Sequence, residues 1–569
     1  MELSGATLFF VSLISVLSLL SLLSRKAAPS SKKRRPRGPW CLPLIGNLHQ
    51  ILTSKLPVVL RDLAKKHGPV MRLRLGQVDA VVVSSPAAAR EVLRDKDLTF
   101  ASRPSILMSE ISLYGNLDVA FAPYGAYWRT LRKICAAELL SERKVRQFSP
   151  VRNKETMSLV SNVREASRGG EPVNLRRLLV LCSNSITGKT AFGEMCSSEL
   201  QEQFLSVMDE VLKLGTGLCV GDLFPSLWFV DVITGLRGRL WRARRQQDKV
   251  LDKIISQSEV RRGDHVLNSL LRIRDKGEID SIPMELDNVK AIIMDMFTAG
   301  TETTSSAAEW VMSDLMRNPE VMMKAQAEVR RTFDNKSSQD HEGHIVELHY
   351  TKMVIKESMR LNPVLPLLVP RVCRETCDVG GFEIMEGTRV MVNTWALGRD
   401  PEYWHEPEEF RPERFEDGTA TYKGSRFDYL PFGSGRRICP GDTFGVAVLE
   451  LMVARLLYYF DWSLPAGVKP SELDMEMIVA LTSRRKNQLH LVATSYNGKV
   501  RSQPGFQVSL TTWAHLSCAS PSALCSSQIY SQAIHPHSAK HRLIDGSPDE
   551  LLSSSQIKKL AVRHVAVVR

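Results

Sequence analysis

The chain of 569 residues carries a formal net charge of +13. This balance would fit a nucleic-acid partner only if the basic residues were spread over the folded part of the protein. They are concentrated at the ends instead: residues 25–37 hold seven basic and no acidic side chains, and residues 495–569 hold eight basic and three acidic ones. The charge therefore does not indicate nucleic acid, and it fits contact with anionic lipid headgroups better.

The N-terminal residues 6–23 contain no charged side chain and are rich in Leu, Val, Ile and Phe. As a helix they would span roughly 27 Å, which is the hydrocarbon thickness of a thin bilayer. A cleaved signal peptide is the alternative, but its usual basic start is missing, since Glu2 is the only charge ahead of the segment. We predict a membrane anchor over residues 1–24 and a cytosolic location for the rest, because the basic run follows it.

Residues 25–47 combine that basic run with several prolines and glycines and predict a stiff, turn-rich hinge. Residues 48–494 show no repeat and no linker, so we predict one large, mainly α-helical domain with small β-sheets. Within it, β-branched runs at residues 78–84 and 388–393 predict strands.

Residues 495–569 are rich in serine and histidine and lack sustained periodicity. They predict a mostly disordered C-terminal extension, or an artefact of gene prediction. His535, His537 and His541 lie in this polar tract, where histidines are usually solvated and do not indicate a metal site.

The longest helical pattern spans residues 289–316, and its centre at residues 299–304 reads AGTETT. Glycine and hydroxyl side chains in mid-helix lower helix propensity, so local stability does not account for them. A threonine there can bond back to a carbonyl four residues earlier and bend the helix, which is a purely structural explanation. By itself the motif therefore does not distinguish a bent helix from a functional one, and a cofactor site elsewhere in the sequence is needed to decide.

Cys439 supplies such a site in the glycine-rich loop PFGSGRRICPG, residues 431–441. A lone cysteine is usually a small buried apolar residue, and a P-loop would need a Lys-Ser/Thr pair that is missing here. Phe432 can shield the sulfur, while Gly435 and Gly441 let backbone amides approach it. These features are those of a loop that supplies a cysteine thiolate ligand to haem iron. Thiolate ligation favours O–O cleavage.

The ten cysteines show no paired framework. Cys373 and Cys377 are four residues apart but have no second pair to complete a zinc site. A cytosolic location also keeps thiols reduced.

With haem present, the AGTETT helix acquires a function. Small Ala299 and Gly300 leave room for dioxygen and substrate above the iron. Thr303 can donate a hydrogen bond to oxygen, and Glu302 can pass protons inward.

These two motifs match the cytochrome P450 family: residues 432–441 fit its signature Phe-x-x-Gly-x-Arg-x-Cys-x-Gly, and residues 299–304 fit its Ala/Gly-Gly-x-Asp/Glu-Thr-Thr/Ser motif. The resemblance covers residues 48–494. It implies the cytochrome P450 fold, haem b, and electrons from NADPH through NADPH-cytochrome P450 reductase. Four stretches are most similar to plant microsomal members, especially grass enzymes that oxidise pimaradiene-type diterpenes: residues 42–47, 73–85, 121–133 and 432–441.

The resemblance also implies roles for charged residues. The haem propionates are expected to be held by Trp128, Arg132, Arg371 and Arg437. A buried triad that holds the cysteine loop is expected from Glu357, Arg360 and Arg414. A weaker expectation is a reductase docking face with Arg129, Lys133 and Arg436.

The substrate pocket implied by the resemblance is apolar and suits a hydrophobic, membrane-partitioned substrate. Its expected lining residues are Ile106, Leu107, Leu113, Phe121, Phe297, Ala299, Gly300, Leu365, Leu368 and Leu481. The chain departs from the usual plant pattern at Arg37, where proline is common, and at Asn362 and Val364, where His and Pro are common; the last two put the pocket shape in doubt.

The sequence thus predicts a haem-thiolate monooxygenase on the endoplasmic reticulum membrane that hydroxylates a hydrophobic plant metabolite, with a diterpene as the first candidate. A haem-thiolate isomerase or dehydratase would share Cys439 but not need Thr303. A decayed haem-binding copy is the other alternative.

Overall fold

The computed structural model describes residues 34–193, 198–214, 219–260, 263–279, 282–479 and 482–496. The predicted anchor, Leu481 and the C-terminal extension with its three histidines lie outside these ranges. Among the described helices, none is both long enough and apolar enough to cross a bilayer.

Most of the described chain is helical. The helices are α1 (Leu48–Ile51), α2 (Leu56–His67), α3 (Pro86–Arg90), α4 (Leu107–Ser112), α5 (Ala126–Ile134), α6 (Glu142–Gln147), α7 (Ser149–Ala166), α8 (Leu175–Phe192), α9 (Ser198–Leu214), α10 (Val220–Leu223), α11 (Val230–Ile233), α12 (Leu236–Val260), α13 (Val266–Asp275), α14 (Leu286–Arg317), α15 (Pro319–Phe333), α16 (His341–His344), α17 (His349–Leu361), α18 (Thr394–Leu397) and α19 (Asp442–Tyr459). Short π-helical turns follow α3 and α5.

The strands are short. They are β1 (Val70–Leu75), β2 (Val78–Val83), β3 (Val173–Asn174), β4 (Glu278–Ile279), β5 (Ile282–Pro283), β6 (Arg371–Val372), β7 (Cys377–Val379), β8 (Phe382–Ile384), β9 (Arg389–Val392), β10 (Phe460–Ser463), β11 (Met477–Val479), β12 (Ser483–Arg485) and β13 (His490–Ser495). They form a four-stranded sheet in the order β1-β2-β9-β6, a three-stranded sheet β10-β13-β3 and three two-stranded pairs. The predicted mainly helical domain with small sheets is confirmed.

The four-stranded sheet brings distant parts of the chain together. β1 and β2 pair antiparallel, with Leu75 opposite Val78, and β2 pairs parallel with β9. Both predicted strands are therefore confirmed. β6 pairs antiparallel with β9, which places Arg371 at the edge of this sheet.

The hinge packs against the same sheet. Arg37 accepts a hydrogen bond on its carbonyl oxygen from the N–H of Arg72 at 2.9 Å. A Cβ atom on Gly38 would lie 2.0 Å from the Arg72 carbonyl oxygen, so only glycine fits there. The described part of the hinge is thus ordered by backbone contacts with β1.

The long helix α14 confirms the predicted helix and runs through both large core clusters. Its second half packs with α7, α8, α15, α17 and α19. Its first half packs with α9, α12 and α13. α19 belongs to the first cluster and is apolar on nearly all sides, as expected of a helix whose second half is buried all round. Because α19 begins just after Cys439, the core holds the cysteine loop close to the middle of α14.

Candidate active site at the cysteine loop

The loop of residues 431–441 leads directly into α19. Gly433 and Gly435 have φ angles of 73° and 70°, which favour glycine. A Cβ atom on Gly435 would lie 2.0 Å from the carbonyl oxygen of Leu93. Glycine at position 435 is therefore needed for the loop to pack against the neighbouring backbone.

The Cys439 side chain lies at the N-terminal end of α19, where the helix dipole is positive. The N–H of Cys439 donates to the Phe432 carbonyl oxygen at 3.0 Å, and the N–H of Gly441 donates to the thiol sulfur. Burial raises the pKa of the thiol to about 11, against the opposing effect of the Gly441 amide. A coordinated metal ion deprotonates a thiol, and the amide and helix would then stabilise the thiolate.

Asp97, which the sequence did not mark, fastens this loop to the rest of the domain. Its carboxylate accepts from Arg371 Nη1 at 3.1 Å and from the N–H of Arg436 at 3.0 Å. Arg371 Nη2 also donates to the Ser434 carbonyl oxygen at 2.8 Å. A single aspartate in a loop has no distinctive sequence pattern, so only the structure reveals this role.

Three arginines, Arg103, Arg371 and Arg437, gather beside the loop. Burial lowers the pKa of each of them, and the charge of Arg371 lowers the pKa of Arg103 and of Arg437 further, the latter to about 9. Arg103 is another residue that the sequence did not mark. The Arg437 guanidinium donates to three backbone oxygens, those of Ala101, Val119 and Ala122. Arg103 and Arg437, which are repelled by Arg371 and bonded to backbone oxygens, fit an anionic ligand such as the haem propionates.

Trp128 and Arg132 lie one turn apart on α5 and complete this side of the site. Trp128 Nε1 donates to the Val119 carbonyl oxygen at 3.0 Å, and the Arg437 guanidinium lies 4.2 Å from the centre of the Trp128 ring. Arg132 is half-buried, and its positive charge lies close enough to Cys439 to lower the pKa of the thiol. Within the described ranges, no residue accepts a hydrogen bond from the Arg132 guanidinium, which therefore fits a propionate partner.

The AGTETT segment of α14 passes close to the start of α19. A Cβ atom built on Gly445 of α19 would lie only 3.9 Å from Thr304 Oγ1. Ala299 is exposed in the middle of this helix, and Thr303 is half-buried one turn later. Thr303 Oγ1 donates to the Ala299 carbonyl oxygen at 2.6 Å, the back-bond expected of a helical threonine. The hydroxyl must leave this partner in order to donate to a ligand.

Gly300 contacts α8. A Cβ atom at this position would lie 2.7 Å from Thr187 Oγ1, and Ser183 Oγ donates to the Gly300 carbonyl oxygen at 2.8 Å. The close packing of α8 on α14 therefore accounts for a glycine here.

Glu302 forms an ion pair with Arg176 at the start of α8. Arg176 Nη2 lies 2.8 Å from Glu302 Oε1, and Arg176 Nη1 lies 3.5 Å from Glu309 Oε2. Arg176 also donates to Ser306 Oγ at 2.8 Å. The Glu302 carboxylate is thus held toward α8 by a residue for which the sequence contained no signal.

The structure brings Glu357, Arg360 and Arg414 together. Glu357 Oε2 accepts from Arg360 Nε at 2.7 Å, and Glu357 Oε1 accepts from Arg414 Nε at 2.9 Å. The side chains of Glu357 and Arg360 have no exposed surface. The remaining donors bond to backbone oxygens of residues 398–409, so the triad fastens that segment to α17. The Arg360 guanidinium lies 5.1 Å from the centre of the Trp404 ring, which packs with Phe415 and Tyr429.

The predicted pocket residues divide into three groups. Ile106, Leu113, Phe121 and Phe297 lie in the cluster of α9, α12, α13 and α14, and the Phe297 ring centre lies 4.3 Å from that of Phe204. Leu107 packs in a separate cluster with Leu214 and Leu240. Leu365 and Leu368 are half-buried, and the Leu368 methyl groups lie 3.8–4.0 Å from the Cβ position of Gly433. The structure therefore brings Leu368 to the cysteine loop.

Arg129 and Arg436 meet on the surface around one tyrosine. Their guanidinium carbons lie 5.7 and 5.9 Å from the Tyr124 ring centre, and that of Arg374 lies 5.2 Å from it. Lys133, the third residue of the expected docking face, is exposed one turn after Arg129 on α5. The arrangement forms a basic patch beside the cysteine loop.

The family model for cytochrome P450 matches residues 36–491. The chain belongs to the cytochrome P450 family. Cytochrome P450 99A2 of Oryza sativa subsp. japonica is 66% identical over 499 residues, covering 87% of this chain and 93% of the relative. The 9-beta-pimara-7,15-diene oxidase of the same plant is 63% identical over 493 residues, covering 87% and 98%. A solved zebrafish cytochrome P450 structure with abiraterone has a TM-score of 0.66 at 23% identity, covers 78% of this chain, and shows the fold alone.

This cytochrome P450 is a haem-thiolate monooxygenase, and family membership implies haem iron as its cofactor. The cysteine, the cation cluster and the threonine helix described above lie around one place in the fold. The residues present therefore fit haem: a sulfur ligand, an amide that stabilises it, and guanidinium groups for the propionates.

Proposed function

We propose that this cytochrome P450 oxidises a pimaradiene-type diterpene with O2 and with electrons from NADPH-cytochrome P450 reductase. The observation that carries this proposal is the 63% identity over 98% of the length of the pimaradiene oxidase. The apolar character of the predicted pocket supports it, since Leu113, Phe121 and Phe297 are all buried in one cluster next to the AGTETT segment. A hydrocarbon substrate gains free energy from such surroundings by leaving water.

Haem bound through Cys439 would supply the oxygen chemistry, because a thiolate ligand favours O–O cleavage. Thr303 would hold a proton beside the exposed surface of Ala299 once its hydroxyl turns away from the Ala299 carbonyl oxygen. Glu302 would exchange protons with solvent when it separates from Arg176. The buried triad positions the surrounding chain and does not take part in proton transfer.

The proposal includes attachment to the endoplasmic reticulum membrane, which an exposed apolar surface supports. Trp228, Phe229, Val232 and Ile233 are all exposed, the last at 77%. Their segment is held to the β1–β2 turn, where the N–H of Gln77 donates to the Leu223 carbonyl oxygen at 2.8 Å. Large apolar patches mark contact sites, and tryptophan favours the membrane interface.

A test of membrane contact uses a chain that lacks residues 1–33. We expect it to float with liposomes, and we expect Trp228→Glu with Ile233→Glu to release it. Val346→Glu is the control, because Val346 is equally exposed on another segment. Equal flotation of all three proteins would contradict the role of this surface.

The main test uses the full chain expressed in microsomes with the reductase. We expect a Soret band at about 450 nm for the reduced, carbon-monoxide-bound protein, as thiolate ligation requires. With a pimaradiene, NADPH and 18O2, we expect a product that carries one labelled oxygen atom. Cys439→Ser should lose both the band and the product.

Two further arms separate the alternatives. Thr303→Ala should keep the 450 nm band but form at least about tenfold less product per NADPH consumed, because a proton donor is lost. Product formed equally well without NADPH would indicate an isomerase or dehydratase and would contradict the monooxygenase mechanism. Turnover of sesquiterpenes but not pimaradienes would contradict only the substrate.

The basic patch supports docking of an acidic reductase. We expect Arg129→Glu with Arg436→Glu to slow electron transfer from the reductase at low salt and leave reduction by dithionite unchanged. Arg168→Glu is the control, because Arg168 is an exposed arginine on another segment. An equal effect of the control would show that overall charge, and not this patch, governs docking.

A further inference from the structure

Two aspartates without a role in the chemistry above face each other between α14 and the segment of residues 117–122. Asp118 is fully buried in that segment, and Asp295 lies on α14, one turn before Ala299. Asp295 Oδ2 accepts from the N–H of Val119 at 2.7 Å and from that of Ala120 at 3.0 Å. The segment is therefore bound to α14 through its amides.

The two carboxyl groups also lie within hydrogen-bonding range of each other. Two carboxylates offer only acceptors, so a hydrogen bond between them requires a proton. Asp118 Oδ2 accepts from the N–H of Phe121 at 2.8 Å, whereas Asp118 Oδ1 is buried and receives no N–H or O–H donor from the described residues. Burial raises the pKa of Asp118 to about 6 and that of Asp295 well above its usual range. A proton shared between the two groups would satisfy the buried oxygen.

The carbonyl oxygens of the same segment bind the cations beside the cysteine loop. Val119 accepts from both Trp128 Nε1 and Arg437 Nη1, at 3.0 and 3.2 Å. Ala120 accepts from Arg103 Nε at 3.1 Å. Val119 and Ala120 thus each donate their backbone N–H to Asp295 and accept on their carbonyl oxygen from an arginine or from the Trp128 indole.

We propose that Asp118 and Asp295 share one proton and are positioning residues, which hold residues 117–122 against α14, fix the Trp128 ring beside Arg437, and thereby aim Arg103 and Arg437 at the haem propionates. The proposal rests on the haem binding proposed above. A movement of the segment would displace all three donors together, because each is bonded to its carbonyl oxygens. The pair acts through the segment and touches neither substrate nor haem.

The first test compares two replacements of Asp295 in the full-length, haem-loaded protein. In Asp295→Asn, the amide oxygen still accepts from Val119 and Ala120, and the NH2 group replaces the shared proton toward Asp118. We expect haem transfer to apomyoglobin within about twofold of the wild-type rate. In Asp295→Leu, both amides and Asp118 lose their partner, and we expect haem loss at least about tenfold faster, with faster hydrogen exchange of the Val119 and Ala120 amides.

Asp222→Leu is the matched control, because Asp222 is buried and, like Asp295, accepts from a backbone amide, that of Leu107 at 2.8 Å, but bonds to none of the three donors. It should lower the thermal midpoint without faster haem loss from the folded protein. Equal haem loss in Asp222→Leu and Asp295→Leu would reduce the pair to a general stabilising contact and overturn the proposal. So would failure of Asp295→Asn to retain haem.

A second test measures the shared proton and does not depend on the leucine variant folding. One proton gives the pair a single negative charge, which Asp118→Asn or Asp295→Asn alone preserves and the double variant removes. We expect an unchanged haem reduction potential in each single variant and a raised potential in the double variant. Equal stepwise shifts in the two singles would show two ionised carboxylates and overturn the proposal. A wild-type protein without the 450 nm band would instead contradict the proposed function itself.

Discussion

Two groups of buried arginines in this protein differ in their partners. In the triad, Arg360 and Arg414 each lie within 3 Å of the Glu357 carboxylate. Beside the cysteine loop, Arg103 and Arg437 donate to backbone carbonyl oxygens and to no side chain of the described residues, and burial together with repulsion from Arg371 lowers the pKa of both. Removal of the carboxylate from a buried ion pair leaves uncompensated charge in the core, whereas buried guanidinium groups that are bonded to backbone oxygens favour binding of an anion.

The strongest test of this comparison is Glu357→Ala. It leaves two buried guanidinium groups without a counter-charge, so we expect a loss of about 3–5 kcal/mol of unfolding free energy. Chemical unfolding of the purified full-length protein measures it. Glu165→Ala is the control, because Glu165 and Arg168 have the same three-residue spacing but are exposed, and it should cost less than about 1 kcal/mol. Equal losses would show that burial does not set the difference.

Arg437→Met should weaken haem binding more than it lowers the stability of the haem-free protein. Loss of one charge-assisted hydrogen bond to a propionate corresponds to about 10- to 100-fold weaker haem binding. The haem-free protein should lose less stability than in Glu357→Ala, because repulsion with Arg371 is relieved. Haem titration and thermal unfolding of the haem-free form measure the two effects. A variant that lost stability but bound haem normally would place Arg437 with the structural arginines.

The smallest expected effect concerns Asp314, which joins α14 to the helix of the triad. It accepts from Ser358 Oγ at 2.6 Å and from Asn362 Nδ2, and burial raises its pKa to about 7. The folded state therefore binds the proton more tightly than the unfolded state. This contribution to stability is fully present below about pH 4 and is lost as the pH rises through 7.

Relative to Asp314→Asn, the wild-type protein should lose on the order of 1 kcal/mol between pH 6 and pH 8. Thermal midpoints of the two proteins across this range measure it. The same pH dependence in both would assign the effect to another group.

Asn362 shows what the sequence could not establish about its own departures. A comparison with the usual plant pattern marks the residue and puts the pocket shape in doubt. In the structure, its amide is buried and donates to Asp314 on α14. A local pattern shows that a residue is unusual, but its contacts lie on a helix some fifty positions earlier in the chain.

Local sequence patterns were sufficient to predict those elements and motifs that depend only on neighbouring residues. The β-branched runs predicted β2 and β9, the long periodicity predicted α14, and the cysteine signature with the AGTETT segment indicated the cytochrome P450 family. These succeed because periodicity, glycine placement and ligand spacing act over neighbouring residues. The three residues Glu357, Arg360 and Arg414 could be named in the same way, from motifs of known register.

Only the tertiary structure decided which charges meet. Asp97, Arg103 and Arg176 carry no local signal, and each acquires its role from a partner more than a hundred residues away. The same holds for the bonds from the Val119 and Ala120 amides to Asp295, which join a loop to α14 across a large sequence separation. By itself the sequence determined that Cys439 is the candidate haem ligand. The fold determined what surrounds it, because burial and charge pairing depend on distances in space and not on spacing along the chain.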